Sequence, residues 1–272
     1  MPSSTSSLIK PAIKPVIKPK ALLFDLDGTL MDTAPDFFPA VNTLRQEHGL
    51  PALAESVIRL QVSNGGWALT RLALDLPLPA TASNASTASA AQKAVVSLAP
   101  SDDDDNKELL IAQRQRLLDL YTIHLGEKSD LFSGTTELLQ ACNELALPWG
   151  IVTNKPRLYT EILLERLAGK LPILQHCSVL VCPDDVARTK PFPDPLFLAA
   201  DTIAVAPQDC WYLGDHLRDI EAGNAANMFT IATLYGYIEA SDNPGDWQAD
   251  LLVESAQQVT QLLESLSANL ID

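Results

Sequence analysis

Basic and aromatic side chains are scarce in this chain. Only 19 Lys and Arg stand against 34 Asp and Glu, and Phe, Trp and Tyr make up 6% of its 272 residues. The resulting formal charge of −15 excludes a sequence-independent grip on phosphate backbones, so nucleic-acid binding is not expected. Cysteine is confined to Cys142, Cys177, Cys182 and Cys210, with no CxxC pair and no zinc-finger spacing. In a chain of this length these read as reduced, mostly buried thiols of a cytoplasmic protein. No stretch approaches the roughly 18 consecutive apolar residues that crossing a bilayer requires, so no membrane association is expected. What is abundant is apolar content in general, at 47% with a mean hydropathy of +0.07, too high for a disordered chain. The length allows one large domain or two small ones, either with a sizeable core.

Two segments depart from that average. Residues 1–19 carry Ile9-Lys10-Pro11, Ile13-Lys14-Pro15 and Ile17-Lys18-Pro19. Proline at every fourth position denies both a helix and the apolar run of a secretory signal, which leaves an extended, flexible tail. Between about 77 and 107 the sequence is rich in Ala, Ser and Thr and ends in Asp102-Asp103-Asp104-Asp105. A calcium loop would need alternating ligands, a glycine turn and a distant Glu, none of which is there. This stretch reads as a low-complexity loop insertion.

Elsewhere short apolar runs alternate with helix-like sequence. The runs are 20–24, 148–152, 178–182, 210–213, 229–233 and 251–253, and the helical candidates between them are 135–146, 156–168, 193–204, 216–226 and 255–268. Runs apolar on both faces suit central strands of a parallel sheet covered by helices. The alternation predicts a doubly wound, Rossmann-like α/β core over 20–33 and 129–272. The first two strands are separated by over 100 residues with helical stretches near 36–48, 54–74 and 107–125, too much for one crossover. Residues 34–128 are therefore expected to form an inserted, mostly helical cap that contains the low-complexity loop.

Ligands of such a sheet bind beyond the carboxyl ends of its strands. Those ends carry Asp25-Leu26-Asp27-Gly28-Thr29, Thr153-Asn154-Lys155, Asp184-Asp185 leading to Lys190-Pro191, and Gly214-Asp215 with Asp219 four residues on. So many carboxylates in one crevice repel unless a cation lies among them, and oxygen ligands without a His/Cys cluster specify Mg²⁺. In this setting Asp25 is a candidate nucleophile and Asp27 a candidate acid and base. Asp215 suits a direct metal ligand, and Asp219 an outer partner that fixes water or Lys190. Thr153, Asn154 and nearby amides can hold phosphate oxygens, while Lys190 neutralises charge.

These four elements, in this order and spacing, resemble the four motifs of the haloacid dehalogenase superfamily. The resemblance covers about 20–270 and implies a cap between the first two motifs, Mg²⁺ dependence, and Asp25 as nucleophile. It also implies metal ligation by Asp25, the Asp27 backbone carbonyl and Asp215. An acid two places after the nucleophile is usual in the family's phosphatases and usually missing from its dehalogenases, so Asp27 favours phosphate esters. Leu30-Met31-Asp32-Thr33-Ala34-Pro35-Asp36 and Lys190-Pro191-Phe192-Pro193-Asp194-Pro195 resemble the phosphoglycolate phosphatases. Trp149-Gly150-Ile151-Val152-Thr153-Asn154-Lys155-Pro156, Cys182-Pro183-Asp184, Tyr235-Gly236-Tyr237-Ile238 and Asp242-Asn243-Pro244 resemble the branch that includes the N-acetylmuramic acid 6-phosphate phosphatases of cell-wall recycling.

The expectation is a Mg²⁺-dependent phosphomonoester hydrolase that works through an aspartyl-phosphate. Its substrate would be a small anionic metabolite such as 2-phosphoglycolate or N-acetylmuramic acid 6-phosphate, and its state a monomer or small homo-oligomer. A phosphosugar mutase and a non-catalytic phosphometabolite-binding protein are the alternatives. Within the cap, Ser63-Asn64-Gly65-Gly66-Trp67 has two readings. Gly65 and Gly66 present amides to substrate, or they permit a helix break beside a core Trp67.

Overall fold

A computed structural model describes residues 14–78 and 107–268. At its centre is a six-stranded, all-parallel sheet in the order β5-β4-β1-β6-β7-β8. The strands are β1 (Ala21–Phe24), β4 (Trp149–Val152), β5 (Val179–Val181), β6 (Cys210–Gly214), β7 (Phe229–Thr233) and β8 (Leu251–Val253). They coincide with the six apolar runs of the sequence to within a residue or two. Successive side chains of a strand point to opposite faces. Leu22 and Phe24 accordingly join one core cluster with Trp149, Ile151, Trp211 and Leu213, while Ala21 and Leu23 join another with Val152, Cys210 and Tyr212. Burial on both faces is why these strands read as unbroken apolar runs.

The first face is covered by α5 (Thr135–Glu144), α6 (Arg157–Leu167) and α9 (Ala256–Ala268) through Leu138, Leu139, Leu163, Leu167, Val259 and Leu263. The second is covered by α7 (Asp194–Thr202) and α8 (Leu217–Ala225) through Leu196, Ala199, Ala200 and Ala222. The doubly wound architecture is therefore as expected.

Between β1 and β4 the chain leaves the sheet and builds a helical cap from α1 (Ala34–Glu47), α2 (Glu55–Arg59), α3 (Gly65–Ala73) and α4 (Lys107–His124). The stretch 54–74 is two helices rather than one, because the chain turns at 60–64 and enters α3 on Gly65 at φ +78°. The cap's outgoing and returning connections run side by side. Two short strands, β2 (Met31–Asp32) and β3 (Asp130–Leu131), pair antiparallel. Beside them buried Asp36 accepts hydrogen bonds from the Gly126 and Lys128 amides at 2.6 and 2.7 Å and from Ser129 Oγ. At the opposite end of α1, buried Arg45 donates to the Leu72 and Ala73 carbonyls, to Pro51 O and to Asp75. This guanidinium ties the ends of α1 and α3 together. The expected low-complexity loop lies outside the described residues from 79 to 106.

The inner end of the tail expected over residues 1–19 is not free. Lys14 donates its amide to Asp250 at 3.1 Å and its ammonium to Met228 O at 2.5 Å, with Asp250 Oδ2 3.2 Å away, and Pro19 is buried. Asp250 is buried too, and a buried carboxylate holds whatever cation reaches it. Residues 14–19 are thus anchored to the core; residues 1–13 lie outside the description. Among the described residues no helix is long and apolar enough to cross a membrane.

Candidate active site

The carboxyl ends of β1, β4 and β6 bring Asp25, Thr153 and Asp215 to one edge of the sheet, and Lys190 reaches the same place from the loop after β5. Asp25 directly follows β1, and its amide donates to Leu213 O of β6 at 2.9 Å. The Lys190 ammonium is fully buried and lies 2.8 Å from Asp25 Oδ1, 2.7 Å from Asp219 Oδ1, and 2.9 Å from both Val152 O and the Tyr212 hydroxyl. Burial alone pushes a lysine down; the charges of Asp219 and Asp25 outweigh it and hold Lys190 above its ordinary value.

Asp215 is fixed by three groups. The Tyr237 amide donates to Oδ2 at 2.8 Å, Thr29 Oγ1 to Oδ1 at 3.1 Å, and Ser63 Oγ to Oδ2 at 3.4 Å. The loops crowd it closely. Gly28 has φ +88°, and a Cβ there would come within 2.1 Å of Asp215 Oδ2; a Cβ on Gly236 would come within 2.2 Å of Asp215 Cβ. Only glycine lets both turns wrap the carboxylate. Helix α8 begins at Leu217 with His216 as its N-cap, so Asp215 precedes the helix rather than sharing its face with Asp219. Asp219 accepts the His216 amide at 3.1 Å as the third residue of a capping box, and this aims its other oxygen at Lys190.

Carboxylate oxygens of Asp25, Asp215 and Asp219 all lie within 4.8 Å of one another. Burial, countered in part by Lys190, raises Asp25 to about 6. Burial and the charges of Asp25 and Asp219 raise Asp215 to about 8. Such a site gains most from a small hard cation, and an oxygen-only donor set fits Mg²⁺. Asp25 and Asp215 can hold it, and Lys190 already occupies Asp219.

Asp27 points elsewhere. Its Oδ1 accepts from Thr33 Oγ1 and from Lys155 Nζ at 3.0 Å, which leaves the backbone carbonyl as the metal contact expected of Asp27. Lys155 also donates to the Tyr121 hydroxyl of the cap at 2.8 Å and lies over the Phe37 and Tyr121 rings at 5.4 and 5.0 Å. Thr153 is buried; its Oγ1 accepts the Lys155 amide at 3.1 Å. The Asn154 side chain donates to Lys190 O at 2.9 Å. That bond braces the lysine loop, and Asn154, a candidate substrate contact, also lines the cavity beneath the cap. Asp184 and Asp185 do not join the carboxylate cluster either, because Arg157 takes both, through its amide at 2.8 Å and its guanidinium.

A cavity of about 320 Å³ opens onto Asp25, Asp27, Thr153, Asn154 and Lys155 and is roofed by Gly65, Gly66 and Trp67 of the cap. The α2–α3 loop is docked on the core over it: Arg218 donates to Ser63 O, and Asn64 donates to Glu239 at 2.6 Å. Gly65 opens α3, as the helix-break reading has it, and the half-buried Trp67 lines the cavity rather than the core.

The sequence alone points to no role for Lys155, Tyr121 or Tyr237. Lys155 stands in the motif Thr153-Asn154-Lys155, but nothing local shows that it turns back to Asp27. Tyr237 accepts the Thr33 and Ala34 amides at 2.7 and 2.9 Å and donates to Asp32 at 2.7 Å. Its phenol so caps α1 from more than 200 residues away.

The haloacid dehalogenase-like hydrolase family model matches residues 19–227. An N-acetylmuramic acid 6-phosphate phosphatase of Pseudomonas aeruginosa is 38% identical over 90% of this chain and 95% of its own length. A phosphoglycolate phosphatase of Xanthomonas campestris pv. campestris is 38% identical over 89% of this chain and 95% of its own length. Among solved structures, a predicted phosphoglycolate phosphatase from Haemophilus somnus superposes with a TM-score of 0.69 at 20% identity, over 91% of this chain and 99% of its own. That last likeness concerns the fold alone.

Proposed function

The chain belongs to the haloacid dehalogenase-like hydrolases, and from that premise we propose that it is a Mg²⁺-dependent phosphatase of small anionic phosphomonoesters, with 2-phosphoglycolate and N-acetylmuramic acid 6-phosphate as the leading substrates. The reading is supported above all by one observation: three buried carboxylates lie within 4.8 Å of one another with a buried lysine bonded to two of them. A structural salt bridge needs one carboxylate per cation. The surplus acid is costly without further positive charge, and a phosphoryl-transfer site supplies it.

Asp25, the Asp27 carbonyl and Asp215 would hold the cation, which would supply charge neutralisation between nucleophile and phosphate. Lys190 holds Asp25 Oδ1, leaving Oδ2 to attack phosphorus. As the new oxygen–phosphorus bond forms, the bond to the leaving oxygen breaks and Asp27 gives that oxygen its proton. Asp27 then takes a proton from water, whose oxygen attacks phosphorus and releases Asp25. Thr33 and Lys155, both on Asp27 Oδ1, hold that carboxylate in register for the two transfers. Thr153 and adjacent backbone amides receive the non-bridging oxygens. The four cysteines, free in the described residues, agree with a reducing cytoplasmic setting.

Phosphate release from both esters, measured with Mg²⁺ and with a chelator, tests the proposal. Release should need the metal and fall by at least about 10³-fold in Asp25→Asn, since removing a nucleophile removes the covalent route. Undiminished release in that variant would overturn it.

A further inference from the structure

Three cationic side chains line the cavity: Lys155, Arg218 and Arg114. Two are engaged, Lys155 with Asp27 and Arg218 with Ser63 O. Arg114, on α4 of the cap, has no carboxylate partner among the described residues. Its guanidinium carbon lies 4.7 Å from the Trp67 ring centroid, and its buried Nε has no hydrogen-bond partner. A Cβ at Gly66 would sit 3.4 Å from that Nε, at ordinary van der Waals distance, so the arginine packs directly under the cap loop. Desolvation, opposed only by Tyr159, holds Arg114 below its ordinary value. A half-buried cation whose N–H finds no acceptor within the protein favours an external one. A planar anion that accepts two parallel hydrogen bonds removes the cost, and carboxylate has that geometry.

The phosphoryl group belongs at the other polar feature of the cavity, beside Asp25 and Thr153, so Arg114 is available to a second anionic group. The remaining wall is largely apolar, with Phe37, Val62, Leu118, Tyr121 and Tyr159; a fixed charge at such a wall is poorly screened and discriminates strongly. We infer that Arg114 is the receptor for a carboxylate that the substrate carries away from its phosphate, so that this enzyme selects phosphorylated carboxylic acids over neutral phosphoesters. The inference rests on the phosphatase reading for the placement of phosphate. The carboxylate itself is called for by Arg114.

The test compares matched ligands in wild type, Arg114→Gln and Arg114→Lys. The ratio of kcat/KM for 2-phosphoglycolate over its carboxamide should fall by about 10- to 100-fold in Arg114→Gln, and only part of it should return in Arg114→Lys, which keeps the charge but not the fork. A uniform loss on both esters, or an unchanged ratio, overturns the assignment; the ratio is blind to general damage. Calorimetric binding of 3-phosphonopropionate against propylphosphonate separates the two readings. A wild-type preference for the carboxylate that Arg114→Gln loses, without turnover of any ester, keeps the receptor and sinks the phosphatase. No preference in wild type sinks the receptor even if the esters are hydrolysed.

Discussion

At the scale of single residues, the site is built from acids held against their preference. A free aspartate titrates near 3.9, whereas Asp25 and Asp215 are raised to about 6 and about 8 by burial and neighbouring charge. In the metal-free protein the folded state therefore binds protons that the unfolded chain releases. The stability these two groups contribute is full below about pH 4 and is lost as pH rises through about 6 and then about 8. Mg²⁺ competes with those protons. Its stabilisation should be larger near pH 8.5 than near pH 5.5, reaching about 2.7 kcal/mol when the free metal is about 100 times its Kd. Thermal melts at both pH values, with and without metal, measure this; equal shifts would count against a metal site at these carboxylates. The same residues show what sequence can deliver. Asp25, Lys190 and Asp215 were legible because each follows a recognisable apolar strand or loop motif. Lys155 and Arg114 were not, because their importance lies in which group each faces across the cavity, and that is settled by the packing of cap on core.

At the scale of elements, strands and helices of the core were legible to within a residue or two, since a strand buried on both faces leaves an unbroken apolar signature. The two-residue strands β2 and β3 were invisible, being too short to show a period. So was the cap of α1. Its N-terminal amides at Thr33 and Ala34 have no side-chain cap of their own and depend on the Tyr237 phenol. Removing that oxygen leaves two buried donors unpaired and Asp32 without one partner. Tyr237→Phe should cost about 2 kcal/mol, read as a lower urea midpoint with an unchanged slope. A loss under about 0.5 kcal/mol would mean that the amides find another acceptor.

At the scale of the whole molecule, the sequence break near 77–107 interrupts the cap and not the core. The chain leaves α3 beside Arg45 and Asp75 and returns into α4, whose Arg116 pairs with Glu47 at the end of α1. Both points belong to the end of α1 far from the Asp27–Thr33 contact, roughly 18–21 Å from Thr33 at about 1.5 Å per helical residue. Replacing residues 79–106 with a short Gly/Ser linker should keep kcat on 2-phosphoglycolate within about twofold, because loop length enters stability only logarithmically. A loss of activity on deletion would show that the segment reaches the site.

The pairing of β2 with β3, clasped by Asp36 on Gly126, Lys128 and Ser129, brings both chain connections of the cap to one place on the core. A lineage can therefore exchange the whole helical module at two adjacent seams, as one swaps a tool head on a fixed handle. Selectivity is then free to diverge while the hydrolytic machinery beneath is inherited intact.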